Sequence, residues 1–246
     1  MKKEEVFQMN FIRKILKEVR KTINSEYYAR IEDEKLEKRK YSGGLIAEIK
    51  PASPTEGELY SDSIEELAAI YEKNGANAIS VLTEPTFFKG NLRNITIAKK
   101  TTNLPILMKD FIVSEKQVLA GKNAGADIIL LIYGISPPKL IDYVHLLGLE
   151  VLLEVHTLAE FKRAKRTKAD FIGINNRNLK NMEVDVQNTI RILGSEKSDG
   201  IVISESGIKT KGDVELLKKS GVKGILVGTN LLKAKNIGEK VKELRF

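Results

Sequence analysis

Six short stretches of this sequence carry side chains whose types and spacing suit proton transfer on an anionic molecule. Glu48-Ile49-Lys50 puts a carboxylate and an ammonium two residues apart, on one face of any extended strand. Lys109-Asp110, Glu154, Asn175 with Arg177, Glu205-Ser206-Gly207 and Gly228-Thr229 each follow an apolar run. A lysine with the ordinary pKa of about 10.4 is too basic to take protons at neutral pH but suited to donate one. Glutamates beside it would hold it protonated, while their own burial would favour proton uptake. Glycine next to a hydroxyl residue, as at Ser206-Gly207 and Gly228-Thr229, lets backbone N–H groups and a side-chain donor close on an anion. Any one of these carboxylates reads equally well as the surface partner of a neighbouring lysine. Only a fold that brings all six stretches to one place makes them a site.

The elements between them supply such a fold. Four segments resemble one another: Asn74-Gly-Ala-Asn-Ala-Ile-Ser-Val-Leu82, Ala124-Gly-Ala-Asp-Ile-Ile-Leu-Leu-Ile132, Lys168-Ala-Asp-Phe-Ile-Gly-Ile174 and Ser220-Gly-Val-Lys-Gly-Ile-Leu-Val-Gly228. In each a helix ends and an unalternating apolar run begins, the pattern of a parallel strand buried on both faces. Their spacing of roughly 45–55 residues is that of two βα units, a quarter-barrel repeat. Between them lie Leu45–Ile49, Pro105–Met108, Leu149–Leu153 and Ile201–Ile203, which brings the strands to eight. Ser63 with Glu66, Ser114 with Gln117 and Thr157 with Glu160 have capping-box spacing at helix starts. Ile64, Leu67, Ala68 and Tyr71 form an apolar stripe on the first of these helices. The expectation is a single (β/α)₈ barrel over residues 44–246, with 1–43 as a helical extension packed on it through Phe11, Ile12, Ile15 and Leu16. All six polar stretches then fall at strand C-termini, which in this fold share one mouth. A short helix near Thr229-Asn230 is expected to aim its positive end at a phosphate.

Composition narrows the chemistry. With 246 residues the chain matches one barrel of about 250. There is no cysteine, so disulfides, thiolate metal sites and a cysteine nucleophile are excluded. The two histidines, His145 and His156, lack metal-ligand spacing, so no metal is expected. His145 reads as structural or solvated, and His156, two residues beyond Glu154, is within reach of the mouth but is not read as catalytic. No Rossmann or P-loop fingerprint occurs, and no nucleotide cofactor is expected. The charge of +8 is spread along the chain and aromatics are 6%, which suits a field for a small phosphorylated anion better than a nucleic-acid platform. No apolar stretch reaches membrane-span length, so a cytoplasmic protein without membrane contact is expected, and a monomer.

In this order the residues resemble the indole-3-glycerol phosphate synthase family from about Leu45 to the C-terminus. The resemblance is carried by Ala47-Glu-Ile-Lys50 with Ser53-Pro54, Leu82-Thr-Glu-Pro-Thr-Phe-Phe-Lys-Gly90, Leu107-Met-Lys-Asp-Phe-Ile112, Glu154-Val-His156, Gly173-Ile-Asn-Asn-Arg177 and Ser204-Glu-Ser-Gly-Ile208. It implies a carboxy-lyase that closes 1-(2-carboxyphenylamino)-1-deoxyribulose 5-phosphate to an indole with loss of carbon dioxide and water. Lys109 matches the family's general acid and Lys50 the cation at the substrate carboxylate. Glu154 and Glu48 match the proton-moving carboxylates of the dehydration, Asn175 the substrate-orienting amide, and Glu205 a brace of the charge network. Ser53, Arg177, Ser206, Gly207, Gly228 and Thr229 match substrate and phosphate binders, and Phe87, Phe88 and Phe111 the pocket for the aromatic ring. The sequence departs from the family at Pro51-Ala52, at Asn178, and at Ile132-Tyr-Gly-Ile-Ser136, where Gly134 is expected to loosen the loop. Three rivals are an isomerase of phosphoribosylanthranilate type, an aldolase with Lys50 or Lys109 as Schiff-base nucleophile, and a basic binding module. The first would want an aspartate or cysteine acid–base pair where this chain has Glu-x-Lys.

Overall fold

The computed structural model describes residues 3–29, 33, 35–53, 57–59, 63–178 and 182–246, apart from the side chains of 3–11, Ser53 and Glu58. The chain enters through α1 (Lys3–Asn24), then β1 (Gly44–Ile49) and a small ribbon of β2 (Ala52–Ser53) against β3 (Gly57–Glu58). Alternation follows: α2 (Ile64–Lys73), β4 (Ala78–Leu82), α3 (Arg93–Thr101), β5 (Ile106–Lys109), α4 (Glu115–Ala124), β6 (Ile128–Ile132) and α5 (Lys139–Leu146). It continues through β7 (Glu150–Val155), α6 (Leu158–Ala164), β8 (Phe171–Asn175), α7 (Gln187–Ser195), β9 (Ile201–Glu205) and α8 (Lys211–Ser220). The chain ends with β10 (Gly224–Val227), a short α9 (Thr229–Leu232) and α10 (Ile237–Glu243).

Eight parallel strands close on themselves in the order β1, β10, β9, β8, β7, β6, β5, β4, with β4 back on β1. This is the expected (β/α)₈ barrel. Outward side chains such as Ala47, Ile79, Met108 and Val151 pack under the helices. Inward ones alternate with them: Ile46, Leu107, Leu130, Leu152, Phe171, Ile203 and Leu226 fill the barrel interior. One pleat higher on the same inward face stand Glu48, Lys109, Glu154 and Glu205, with Asn175 two pleats above Phe171, so the strand period itself lifts the polar residues onto a floor of apolar side chains.

The helix starts follow the sequence with one correction. Ser63 with Glu66 and Thr157 with Glu160 form reciprocal capping boxes, as does Thr210 with Asp213. At α4 the Ser114 hydroxyl accepts from Lys116 N–H, while the Gln117 amide oxygen accepts from Val113 N–H, so the expected box with Gln117 is not made. Gln117 is wholly buried and also donates to Phe111 O and Tyr28 Oη. Its position inside the fold sets its partners.

The segment before β1 touches both ends of the barrel. At the mouth, Tyr27 Oη donates to Thr83 O at 2.7 Å and Tyr28 Oη to Asp110 Oδ2 at 2.9 Å. At the opposite end, Arg39 N–H donates to Asp127 Oδ1 at 2.7 Å, and buried Tyr41 meets Phe171 edge-on at 5.4 Å between ring centres. Ile15 and Val19 of α1 are buried and Ile12 and Leu16 half-buried; the Phe11 side chain lies outside the described residues.

Candidate active site

One cavity of about 590 Å³ opens at the C-terminal ends of the strands. Glu48 and Lys50 enter it from β1, Lys109 from β5, Glu154 from β7 and Asn175 from β8. Arg177, Ser206, Gly207, Gly228 and Thr229 also line it, and Phe88, Phe111, Leu130 and Ile132 give it an apolar lining. Glu205 lies just beneath, fully buried, with Oε2 3.6 Å from Lys109 Nζ. One expected member falls elsewhere and another is not described. Phe87 is not among the cavity-lining residues and is half-buried, with Lys14 Nζ 5.9 Å from its ring centre. The side chain of Ser53 lies outside the described residues.

Charge is organised around Glu48, which receives Lys50 Nζ at 2.8 Å and Lys109 Nζ at 3.0 Å. Burial alone would raise its carboxyl, but Lys109 and Lys50 together pull it down to about 2. Burial likewise opposes a charge on Lys109, and Glu48, Glu205 and Glu154 outweigh it, holding the ammonium protonated well above the usual lysine range. Glu205 goes the other way. Burial, with Glu154 and Glu48 nearby, pushes it up to about 8 against the pull of Lys109, and neither of its oxygens has a hydrogen-bond partner. Glu154 stays below the ordinary carboxylate value: burial would raise it, and His156, Lys109 and Asn175 overcome that. The floor thus sets an ammonium among carboxylates whose proton affinities are pushed apart, Glu48 and Glu154 downward and Glu205 upward.

Two glycines make room for this packing. A Cβ on Gly228 would stand 2.4 Å from Glu48 Oε1, and one on Gly173 would stand 2.1 Å from Glu205 Oε1. Gly228 also precedes α9, whose first turn faces the cavity through Thr229 and Asn230, as the sequence suggested. On the neighbouring strand end, Ser206 takes φ +67° and Gly207 φ +85°, bending the chain into the mouth. Asn176 fastens that bend: its amide donates to Ser206 O and Ser204 Oγ at 3.0 Å and accepts from Thr189 Oγ1 at 2.8 Å. Sequence reasoning left Asn176 and Gly173 without a role, although both stand in the Gly173–Arg177 motif.

The three departures have local accounts. Pro51 O accepts from Leu59 N–H at 3.0 Å and Ala52 N–H donates to Phe88 O at 3.3 Å, so the loop after β1 is tied to the one after β4. Asn178 exchanges backbone bonds of 2.8 Å with Glu183 and Met182. In the Gly134 loop Ser136 Oγ accepts from Ile132 N–H and donates to Ile112 O.

A family model described as indole-3-glycerol phosphate synthase matches residues 1–244. The chain belongs to the indole-3-glycerol phosphate synthase family. Among curated members, the indole-3-glycerol phosphate synthase of Streptococcus pneumoniae (strain Hungary19A-6) is 45% identical over 207 residues, 82% of this chain and 81% of that one. The synthase of Streptococcus mutans serotype c (strain ATCC 700610 / UA159) is 44% identical over 205 residues, covering 81% and 80%. Solved structures support the fold. Thiamine phosphate pyrophosphorylase from Pyrococcus furiosus superposes with TM-score 0.61 at 19% identity, over 81% of this chain and 92% of that one. N-acetylmannosamine-6-phosphate 2-epimerase from Clostridium perfringens gives 0.60 at 18%, over 76% and 86%. The synthase reaction is a decarboxylating cyclisation in tryptophan biosynthesis, and this chain is a carboxy-lyase of that kind. Among the described residues no helix is long and apolar enough to cross a membrane.

Proposed function

We propose the following division of labour for the cyclisation of 1-(2-carboxyphenylamino)-1-deoxyribulose 5-phosphate. The phosphate rests on the backbone of Ser206–Gly207 and Gly228–Thr229, with the two hydroxyls, Arg177 and Ser53 as further donors. The aromatic ring lies against Phe88 and Phe111 and its carboxylate faces Lys50; Asn175 orients the ribulose hydroxyls. Lys109 donates a proton to the ketone oxygen as the carboxylate-bearing aromatic carbon attacks the ketone carbon. Carbon dioxide leaves, its bonding pair staying behind to restore the aromatic ring; the new hydroxyl departs as water with Lys50 assisting, and Glu154 or Glu48 takes the remaining proton of the new five-membered ring. From the substrate carboxylate, the sum is one proton taken up and one molecule each of carbon dioxide and water released.

The observation that carries this reading is Lys109, braced at the cavity floor by Glu48 at 3.0 Å and Glu205 at 3.6 Å. A lysine held protonated has no free amine pair with which to attack a carbonyl, which disfavours a Schiff base and leaves Lys109 in the proton-bearing form that the acid role requires. Substrate added to the protein is expected to raise indole fluorescence, and Lys109→Ala to lose nearly all of that signal with its circular dichroism intact. Full activity in Lys109→Ala would remove Lys109 from the role. The same reading includes a monomeric cytoplasmic enzyme without cofactor or metal that binds no nucleic acid, to be checked by light scattering and by salt-dependent DNA retention.

A further inference from the structure

Glu154 differs from its neighbours in where its countercharge comes from. Glu48 has two lysines and Glu205 has Lys109. Among the described residues, Glu154 has one ion-pair partner within 4 Å, the ring of His156, whose Nε2 lies 3.2 Å from Oε1. The approach is off the ideal hydrogen-bond axis, close enough for the two groups to act on one another. The same Oε1 accepts from Asn175 Nδ2 at 3.2 Å, which leaves Oε2 as the untied oxygen of a cavity-lining carboxylate.

His156 itself is not among the residues lining the cavity, and its side chain is 13% exposed. Its backbone fixes it from two sides: the N–H donates to Glu160 Oε2 at 2.7 Å, and the carbonyl accepts from Asn188 Nδ2 at 3.2 Å. The ring therefore stands between carboxylates, with Glu154 of β7 at Nε2 and Glu160 of α6 at 3.9 Å from Nδ1. Glu205 of β9 acts on it from farther away, α7 contributes the neutral Asn188, and Lys109 of β5 acts on Glu154.

We propose that His156 is a positioning residue which, as an imidazolium, keeps Glu154 ionised and ties down its Oε1, so that Oε2 is presented to the substrate as a proton acceptor. The reason is crowding of like charge. Glu154 shares its floor with Glu48 and Glu205, and carboxylates held together in a dry site take up protons unless cations offset them. Burial disfavours charge on His156 too, but Glu154 and Glu160 reverse that and raise its pKa, so the pair stabilises its own ionised state. The two groups titrate as a unit, losing the Glu154 proton first and the His156 proton last.

The proposal rests on Glu154 as a proton acceptor in the reaction, and two measurements separate the layers. The chain has two histidines, so ¹⁵N NMR of the imidazoles, with His145→Gln to assign them, reads His156 alone. Its midpoint is expected to fall by about one pH unit or more in Glu154→Gln, the scale of shift an adjacent opposite charge produces. In His156→Gln, the acidic limb of kcat against pH is expected to move upward, with activity recovering at higher pH and KM little changed. An unshifted His156 in an inactive Glu154→Gln sinks the proposal alone; full activity in Glu154→Gln sinks the role of Glu154 and the proposal with it. A shifted midpoint combined with a limb that stays put shows the ring to be structural and also overturns it. Should His156→Gln fail to fold, the imidazole midpoint in Glu154→Gln decides.

Discussion

Glu205 shows how strongly position governs a single residue here. It is fully buried, touches no hydrogen-bond donor, and sits among Glu154, Glu48 and Lys109. With its carboxyl pushed up to about 8, the folded protein keeps a proton that the unfolded chain releases at the ordinary carboxyl value. The stability this group contributes is whole below the unfolded value and is lost as pH rises toward the folded one. Glu205→Gln stays neutral throughout, so its Tm relative to wild type is expected to rise between about pH 5 and about pH 8. A constant difference across that range would contradict the raised value. Lys109→Met removes the donor while keeping the stem, and kcat is expected to fall by about 10²–10⁴-fold, as general acid catalysis contributes. Placement at this scale was the most legible in the sequence for residues at strand ends, where the pleat dictates direction. Phe87 escaped that logic because it sits in a loop, where neighbours rather than periodicity decide which way a ring turns.

At the scale of elements, the chain before β1 acts as a clasp on the loops that carry the site. Asp110 follows Lys109 directly and accepts from Thr83 Oγ1 at 2.7 Å, Tyr28 Oη at 2.9 Å and the N–H of cavity-lining Phe111 at 2.7 Å. Glu84 gathers the N–H groups of Thr86, Phe87 and Phe88 and so shapes the neighbouring loop. Tyr28→Phe removes one hydroxyl from this network, and a stability loss of about 1.5–3 kcal/mol is expected for a hydrogen bond to a charged group. Urea unfolding with an unchanged m-value checks it, and a loss under half a kilocalorie would show the clasp to be incidental. The network was invisible beforehand because Tyr28 and Asp110 lie 82 positions apart and neither sits in a periodic run. The strands and most helices were visible for the opposite reason, since burial on both faces and local capping are written in adjacent residues.

The whole molecule separates its two ends by task. The mouth spends strand ends on charge, whereas the opposite end closes with Tyr41, Phe171 and a buried pair, Lys99 Nζ with both Asp127 oxygens at 2.7 and 2.6 Å. Asp127 also accepts from the N–H groups of Arg39 and Ile106, tying the entering chain to β5. Lys99→Met leaves that carboxylate unpaired and is expected to cost about 3–5 kcal/mol in urea unfolding, with turnover of the folded enzyme unchanged. Lost turnover at full folding would show the two ends to be coupled. The sequence disclosed the barrel through its quarter repeat, but Lys99 looked like one more surface lysine, because a charge whose partner is 28 residues away gives no local sign of burial. The most direct test of the account is a crystal structure of Lys109→Met with substrate trapped in it. The substrate phosphate is expected on the Ser206–Gly207 and Gly228–Thr229 backbone, with the ketone oxygen turned toward the vacated ammonium position. A phosphate bound at the far side of the mouth, or a ketone facing away from residue 109, would contradict the account.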